Sequence, residues 1–361
     1  MLAVAAANRL TARWCAALDP AEGFVLSGAC AWPLLALLAS AAGGPARDEL
    51  ERAADISAAD AQAAGLELLR TLSASASVSA ALGLWVRQGI PLDDGWVRPL
   101  PPGTVGELRD PAALDAWCAR HTGGQIDRLP VTVDASTLLV LATALAAKTR
   151  WRQPFNPAGP WLHRVTAGLG SVALLPGGVT RVVVEGDGDL DVELVTGAAE
   201  AGAVLAASLA ALEAARIRPG AELTIGETAA GLVVTEQTHG HPLEDRVLLS
   251  VPPFELAGRH DLTQRPDLFG LGAALDDERG HFPGLSPQPL AVSEAVQDVR
   301  AAFDAEGFEA AAVTAVAMRA GAAFVSGERP VRQIEVRFDR PFGFIARHRP
   351  SGLAIVAGWV A

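Results

Sequence analysis

Ala305-Glu306-Gly307-Phe308-Glu309-Ala310-Ala311-Ala312-Val313-Thr314-Ala315-Val316-Ala317-Met318-Arg319-Ala320-Gly321-Ala322 is built almost entirely from side chains small enough to lie either in solvent or in a sheet. Read with the two-residue period of a strand, one face carries Phe308, Ala310, Ala312, Thr314, Val316 and Met318, and the other carries Glu309, Ala311, Val313, Ala315, Ala317 and Arg319. One face suits burial; the other keeps the charges. An alanine-rich helix is the competing reading, since alanine is the best helix former. Gly307 and Gly321 bracket the run and weaken such a helix.

The portion Glu306 to Thr314 resembles the hinge of the reactive-centre loop in serpins, the serine-protease inhibitor family, whose pattern is Glu-x-Gly-Thr-Glu, small residues, then Thr. Two departures stand out. Phe308 occupies the place of the family's Thr or Ser, and one residue is absent between the first Glu and the Gly. Forcing so large a side chain into a packed sheet typically costs about 1 to 3 kcal/mol, so Phe308 is expected to slow insertion of the loop.

The other marks follow in order along the chain. Phe24-Val25-Leu26 reads as a short strand, and Ser27 as the N-cap of an apolar helix running through Leu38. This is similar to the family's Phe-Ser-Pro-x-Ser, with Ser27 and Cys30 on the two serines of the "shutter", the polar cluster beneath the central sheet. Trp117 to Ile126 resembles Trp-Val-x-x-x-Thr-x-Gly-x-Ile, a helix ended by glycine. Thr137 to Phe155 resembles a central strand of the family, its continuous apolar run fitting burial on both faces. Trp151 falls on the tryptophan of the "breach", where the loop first enters. Thr143 stands at the shutter asparagine and Gln297 at the shutter histidine, so with Cys30 three of the four shutter positions are altered. Val247 to Leu256, His281 to Ser286, and Phe338 to Ile345 also resemble family segments. The resemblance covers about residues 8–155 and 247–361.

It implies an α+β fold with a mainly antiparallel central sheet, further sheets, about eight or nine helices and an exposed loop near 306–332, in one domain over 1–361. Composition is compatible with this. The chain has 361 residues, half of them apolar, which is enough for a large core. Its net charge of -12 and the absence of a basic stripe argue against nucleic acid or an acidic membrane as partner. The first residues lack the pattern of a secretory leader, which points to the cytoplasm by default although the family is often extracellular. Cys15, Cys30 and Cys118 have no Cys-x-x-Cys spacing and read as small core hydrophobes.

Residues 165–235 are the least informative. Val182 to Val184 and Val192 to Val195 read as strands around the turn Gly186-Asp187-Gly188, and Ala198 to Arg216 as a helix. Asp187, Asp189 and Asp191 alternate as in a calcium loop, but Val192 stands where that loop needs glycine, so a solvated hairpin turn is expected. His239 and His241 read as turn histidines, with no third ligand nearby in sequence. Neither Gly-x-Ser-x-Gly nor His-Glu-x-x-His occurs, so no catalytic residue, metal or cofactor is expected, and no enzyme.

The resemblance instead implies a monomeric suicide substrate of a serine protease, whose cleaved loop inserts into the central sheet; the alternative is a non-inhibitory serpin-fold protein, a protease substrate or binding module. Counting from Gly307 by the family's spacing puts the scissile bond at Gly321-Ala322, with Met318 and Arg319 also accessible. Counting back from Phe342 puts it near Pro330. A small residue there suits elastase-like or subtilisin-like proteases, and Arg319 a trypsin-like one.

Overall fold

The computed structural model describes residues 2–124, 126–134, 136–211, 217–239, 244–309 and 329–361. In chain order the elements are α1 (Leu2–Ala16), β1 (Phe24–Leu26), α2 (Gly28–Ala41), α3 (Gly44–Ala54), α4 (Ala58–Ser73), β2 (Val78–Val86), α5 (Asp94–Val97), β3 (Val105–Glu107), α6 (Pro111–His121), β4 (Leu139–Arg150), β5 (Asn156–Ala158), β6 (Trp161–Ala167), β7 (Val172–Leu175), β8 (Val179–Glu185), β9 (Leu190–Thr196), α7 (Ala201–Ala211), β10 (Arg218–Pro219), β11 (Thr228–Ala229), β12 (Leu232–His239), β13 (Arg246–Val251), β14 (Phe254–Asp261), α8 (Pro266–Phe269), β15 (Val296–Phe303), β16 (Gly307–Glu309), β17 (Arg329–Arg337), β18 (Phe342–His348) and β19 (Leu353–Val360).

Three sheets result. The central one has the order β14-β15-β16-β4-β2-β3 and is antiparallel except for the β2–β3 pair. A second, of seven strands, runs β1-β19-β18-β9-β8-β7-β10, and a third, of six, runs β11-β12-β17-β13-β6-β5. Helix α2 explains how two of them share one core. Its apolar residues leave no polar stripe, so it must be covered all round, and it packs against β4 on one side and β19 on the other. Ser27 caps it as its position suggests, the hydroxyl accepting the Cys30 N–H at 3.1 Å.

Strand β4 is two-faced in a telling way. Val140, Ala142 and Ala144 are buried in a small outer cluster with Trp85, Leu114 and Trp117 under α6. The alternate residues Leu139, Leu141, Thr143 and Leu145 point toward α2, yet are only half-buried. An apolar inner face left partly uncovered on a central strand is the first sign that something is meant to lie against it.

Several boundaries differ from the sequence reading. The first helix, expected from the apolar spacing over 8–18, starts at Leu2, and β2, expected within Ser77 to Val97, ends at Val86, ahead of the Gly89 turn at φ 88°. The helix expected over 198–216 is described as Ala201–Ala211, and residues 212–216 lie outside the described residues. The stretch 306–332 is not one exposed loop: Gly307–Glu309 form β16 inside the central sheet, and β17 starts at Arg329.

The turn at residues 186–191 is not a solvated hairpin either. Asp191 is buried and receives Arg349, whose Nε lies 2.8 Å from one carboxylate oxygen, while the same guanidinium donates to the carbonyls of Gly186 and Gly188 at 3.1 and 2.9 Å. Asp189 accepts from Ser75 Oγ at 2.9 Å and from the N–H groups of Ala76 and Ser77, both at 3.2 Å, which locks the turn to the α4–β2 connection. Burial alone would raise its carboxyl, but these hydrogen bonds outweigh it and hold the pKa down to about 2. A depressed carboxylate stabilises the fold fully above its unfolded value of 3.8, and that contribution is lost as pH falls toward about 2. Urea titrations of the wild type and Asp189→Asn should therefore differ by about 1 to 3 kcal/mol at neutral pH, with the gap closing as pH drops from about 4 to about 2.

Candidate functional site

The site is a seam in the central sheet. Strands β4 and β15 run parallel to each other, and among the described residues they are joined only through β16, which pairs antiparallel with both. Three residues fill the upper end. Below them lies a groove of about 710 Å³, floored by Cys30, Leu34 and Leu38 of α2 and walled by Leu141 and Thr143 on one side and Gln297 and Val299 on the other.

The upper end is held by a turn. Asp304 Oδ1 accepts the N–H groups of Glu306 and Gly307 at 2.8 and 2.9 Å, so the chain reverses from β15 directly into β16. Trp151, buried at the end of β4, donates its indole N–H to Asp304 O at 2.9 Å and its backbone N–H to Glu306 O at 2.9 Å. Gly307 is required by close approach: a Cβ there would lie 2.4 Å from the carbonyl oxygen of Thr149.

Phe308, expected to slow insertion of the loop, sits in a pocket of its own in this structure. It is 1 % exposed, faces Phe303 and Thr149 in register, and lies 6.1 Å from the Phe344 ring. The pocket exists because Phe303 is itself fixed between Trp151 at 4.8 Å and Phe254 at 5.3 Å, leaving a space bounded by rings. Of the other hinge residues, Glu306 is exposed on the turn and Glu309 ends β16; Ala310, Ala311, Ala312, Val313 and Thr314 lie outside the described residues. So do the scissile candidates Met318, Arg319, Gly321 and Ala322. Pro330, reached by the backward count, lies in β17 opposite Thr238.

Midway down the seam the four altered or retained shutter positions meet. Gln297 on β15 accepts the Ser27 N–H at 2.9 Å and donates its amide to Ser27 O at 2.8 Å. Thr143 on β4 donates its hydroxyl to Cys30 O at 2.8 Å and lies 3.2 Å from Cys30 Sγ. Burial pushes the Cys30 thiol pKa up, against the opposing hydrogen bond with Thr143, so it stays a neutral partner. The start of α2 thus ties each wall of the seam separately. Ser27 Oγ adds a 2.6 Å bond to Ile355 O of β19, which anchors the cluster to the second sheet.

Two participants were not singled out from sequence. Asp304 is legible in retrospect from the Asp-x-x-Gly turn signature. His260 is not: it faces Gln297 from β14, bonds Val25 O at 2.7 Å and meets the Trp14 ring edge-on at 5.1 Å, contacts fixed only by the sheet register. Burial keeps its pKa below the ordinary value, hence neutral.

Phe308→Thr should cost about 2 to 4 kcal/mol in stability, since it empties a ring-lined pocket, and hydrogen exchange at residues 307–309 should accelerate selectively. Gln297→Ala should cost about 1 to 3 kcal/mol by leaving the buried Ser27 N–H unpaired, the Ser27 carbonyl keeping the Ala31 N–H; denaturant melts of the two variants check both values.

Comparison with known proteins adds the family. The model of the family described as Serpin (serine protease inhibitor) matches residues 5–160 and 229–361, well over half the chain. Plasminogen activator inhibitor 1 of Neovison vison is 26% identical over 255 residues, covering 68% of this chain and 60% of that protein. Plasminogen activator inhibitor 2 of Homo sapiens is 25% identical over 255 residues, with 68% and 58% covered. The aligned part of this chain therefore spans about 60% of such relatives' length. Solved structures show the same fold: a cleaved serpin, Serpin 42Da, at TM-score 0.72 and 17% identity, covering 99% of this chain and 96% of that one, and native protease nexin-1 with heparin at TM-score 0.70 and 16% identity, covering 99% and 97%. Serpins are protease inhibitors rather than enzymes. With β16 set between two strands of the central sheet, a polar cluster below it and a family model that matches most of its length, this chain belongs to the serpin family.

Proposed function

We propose that this chain is a suicide-substrate inhibitor of serine proteases, acting as one domain and as a monomer. The observation that carries the proposal is the seam: a groove already lined for one more strand, with the first three residues of that strand in place. The names of the relatives, plasminogen activator inhibitors 1 and 2, support the same class of target.

The observed ladder can be continued by counting. Phe308 faces Thr149 and Phe303, and each further residue steps one position back along both walls. Thr314, six residues on, then faces Thr143 and Gln297 at the polar cluster. Its parity is that of Phe308, so its hydroxyl is directed at the Cys30 floor. Met318, ten residues on, faces Leu139, where β4 begins. Ala310, Ala312 and Val316 cover the half-buried inner face between these points. The alternation noted in the sequence therefore matches the groove position by position.

Cleavage of the loop by a serine protease leaves the carbonyl of the residue before the cut esterified to the protease serine, while the new amine departs with β17. The freed strand inserts, gaining ladder hydrogen bonds and burial, and carries the acylated protease to the far end of the seam. The uncut form is held by a barrier, not by being the most stable arrangement. For the whole groove to fill, the cut must lie at or after Met318, which every candidate meets; Pro330 is disfavoured instead by its place within the β12–β17 ladder, opposite Thr238. Arg319 suits a trypsin-like protease, and Gly321 an elastase-like or subtilisin-like one.

One observation favours the non-inhibitory alternative: Phe308 is anchored so firmly that the hinge could restrain the loop from further movement. The test separates the two. On incubation with a panel of serine proteases, the inhibitor reading expects an SDS-stable complex with at least one protease that cuts the loop, and a cut protein that melts higher than the intact one. Thr314→Arg should be cut at the same bond yet form no complex and gain no melting temperature, because a buried unpaired guanidinium would sit on the shutter. A loop that is cut by every protease without complex or gain in melting temperature leaves the non-inhibitory reading.

A further inference from the structure

Before any loop enters it, the seam is a cavity with a chemistry of its own. Its volume of about 710 Å³ lies within the range of pockets that hold small molecules, roughly 300 to 1,000 Å³. The middle is polar, at Ser27, Cys30, Thr143 and Gln297, but the lower half is lined by aliphatic and aromatic side chains. Leu34 and Leu38 come from α2, Leu139 and Leu141 from β4, and Leu275 and Phe282 from the connection between α8 and β15. All of these except Phe282 are only half-buried. Water fills such a space poorly, because each ordered molecule needs two to four polar partners. An aliphatic chain would cover the same surface and be driven there by burial.

The lower mouth decides what head such a chain can carry. Strand β4 begins at Leu139 and β15 at Val296, and the cavity continues past both, to Ser136 and Thr137 on one side and to Asp277 and Glu294 on the other. Both carboxylates are exposed. Glu294 accepts the Thr132 N–H at 2.7 Å, which fixes it beside the opening. Arg87 approaches the same end, but its guanidinium is engaged with the carbonyls of Thr137 and Asp134 at 2.8 and 2.5 Å. An anionic head would meet two carboxylates here, whereas a cationic head is attracted by both.

We infer that the lower half of the seam in the uncut protein binds single-chain amphiphiles with a cationic head, the tail lying along Leu34, Leu38, Leu139 and Leu141 and the head at Asp277 and Glu294. The site itself rests on the cavity. That the bound chain and the inserted loop exclude each other rests on the loop-insertion reading above.

Titration calorimetry of the uncut, full-length protein with octyl-, decyl- and dodecyltrimethylammonium, each below its micelle concentration, tests the site. Binding should saturate, tighten about fourfold with each added methylene, and favour dodecyltrimethylammonium over dodecanoate at least about threefold. Cys30 lines the cavity as a free thiol, so its labelling by a maleimide, located by peptide mass, should slow when the ligand is bound. Leu141→Asn should weaken binding about tenfold, because the tail then meets an unpaired amide. Asp277→Asn should narrow the preference over dodecanoate and leave the dependence on chain length unchanged. Uptake that does not saturate, binding that leaves Cys30 labelling unaltered, or dodecanoate bound as tightly as the cation overturns the inference. The loop-cut protein separates this site from the function proposed above. If cutting raises the melting temperature and abolishes binding, both stand; binding retained after such a gain refutes the exclusion. If the melting temperature rises but the uncut protein binds nothing, the ligand site fails and loop insertion survives. If the cut protein gains nothing and binds as before, loop insertion fails and the ligand site stands. Should Leu141→Asn fail to fold, the chain-length series and Cys30 labelling still decide the matter.

Discussion

The interaction on which the rest of the structure depends is the separate attachment of two strands to one helix end. Ser27 grips Gln297 of β15 through both of its backbone groups, and Cys30, one helical turn on, grips Thr143 of β4. Because no bond in the cluster runs directly from Thr143 to Gln297, each wall can shift relative to the other without breaking its own tie to α2. A sheet stitched across at this point would be a closed six-stranded sheet with nowhere for another strand. Stitched to the helix instead, it keeps a seam.

Among the described residues the apolar inner face of β4 is only half-buried along this seam, which carries a cost. The fold manages that cost at the top, where the Asp304 turn, Gly307 and Phe308 form a plug. Each acts through a different kind of physics: the turn through charge-assisted hydrogen bonds, the glycine through close backbone approach, and the phenylalanine through aromatic packing.

The second sheet supplies the fixed frame against which the seam can open. Glu193, fully buried, faces Arg347 at 2.8 Å and accepts from Ser208 of α7 at 2.9 Å, while Asp191 and Arg349 pin the neighbouring turn. Buried carboxylates of this kind are tolerated only when paired, so they tie β9, β18 and α7 into a single arrangement. The walls of the seam carry no such charge pairs at their centre.

Much of this was legible in the sequence. The apolar run through Leu38, with Pro33 inside it, pointed to a helix covered nearly all round, the Ser27 cap followed from its position, and the alternation from Phe308 to Met318 had the period of a strand. These are local or periodic properties, and the physics that fixes them acts over a few residues. What the sequence could not decide was which residues meet. Gln297 and Ser27 are 270 positions apart, and Ser27 and Ile355 are 328 apart; a resemblance grouped Ser27, Cys30, Thr143 and Gln297, but nothing in either neighbourhood announces the bonds between them. The expected solvated turn at Asp187 to Asp191 became a buried ion cluster because Arg349 arrives from 158 residues away. Phe308 read as an obstacle because its spacing revealed its size but not its pocket, which is assembled from Phe303, Trp151, Phe254 and Phe344 on separate strands. Periodicity determined the elements; only the tertiary structure decided their partners, because long-range packing and hydrogen bonding depend on register between strands that no local pattern encodes.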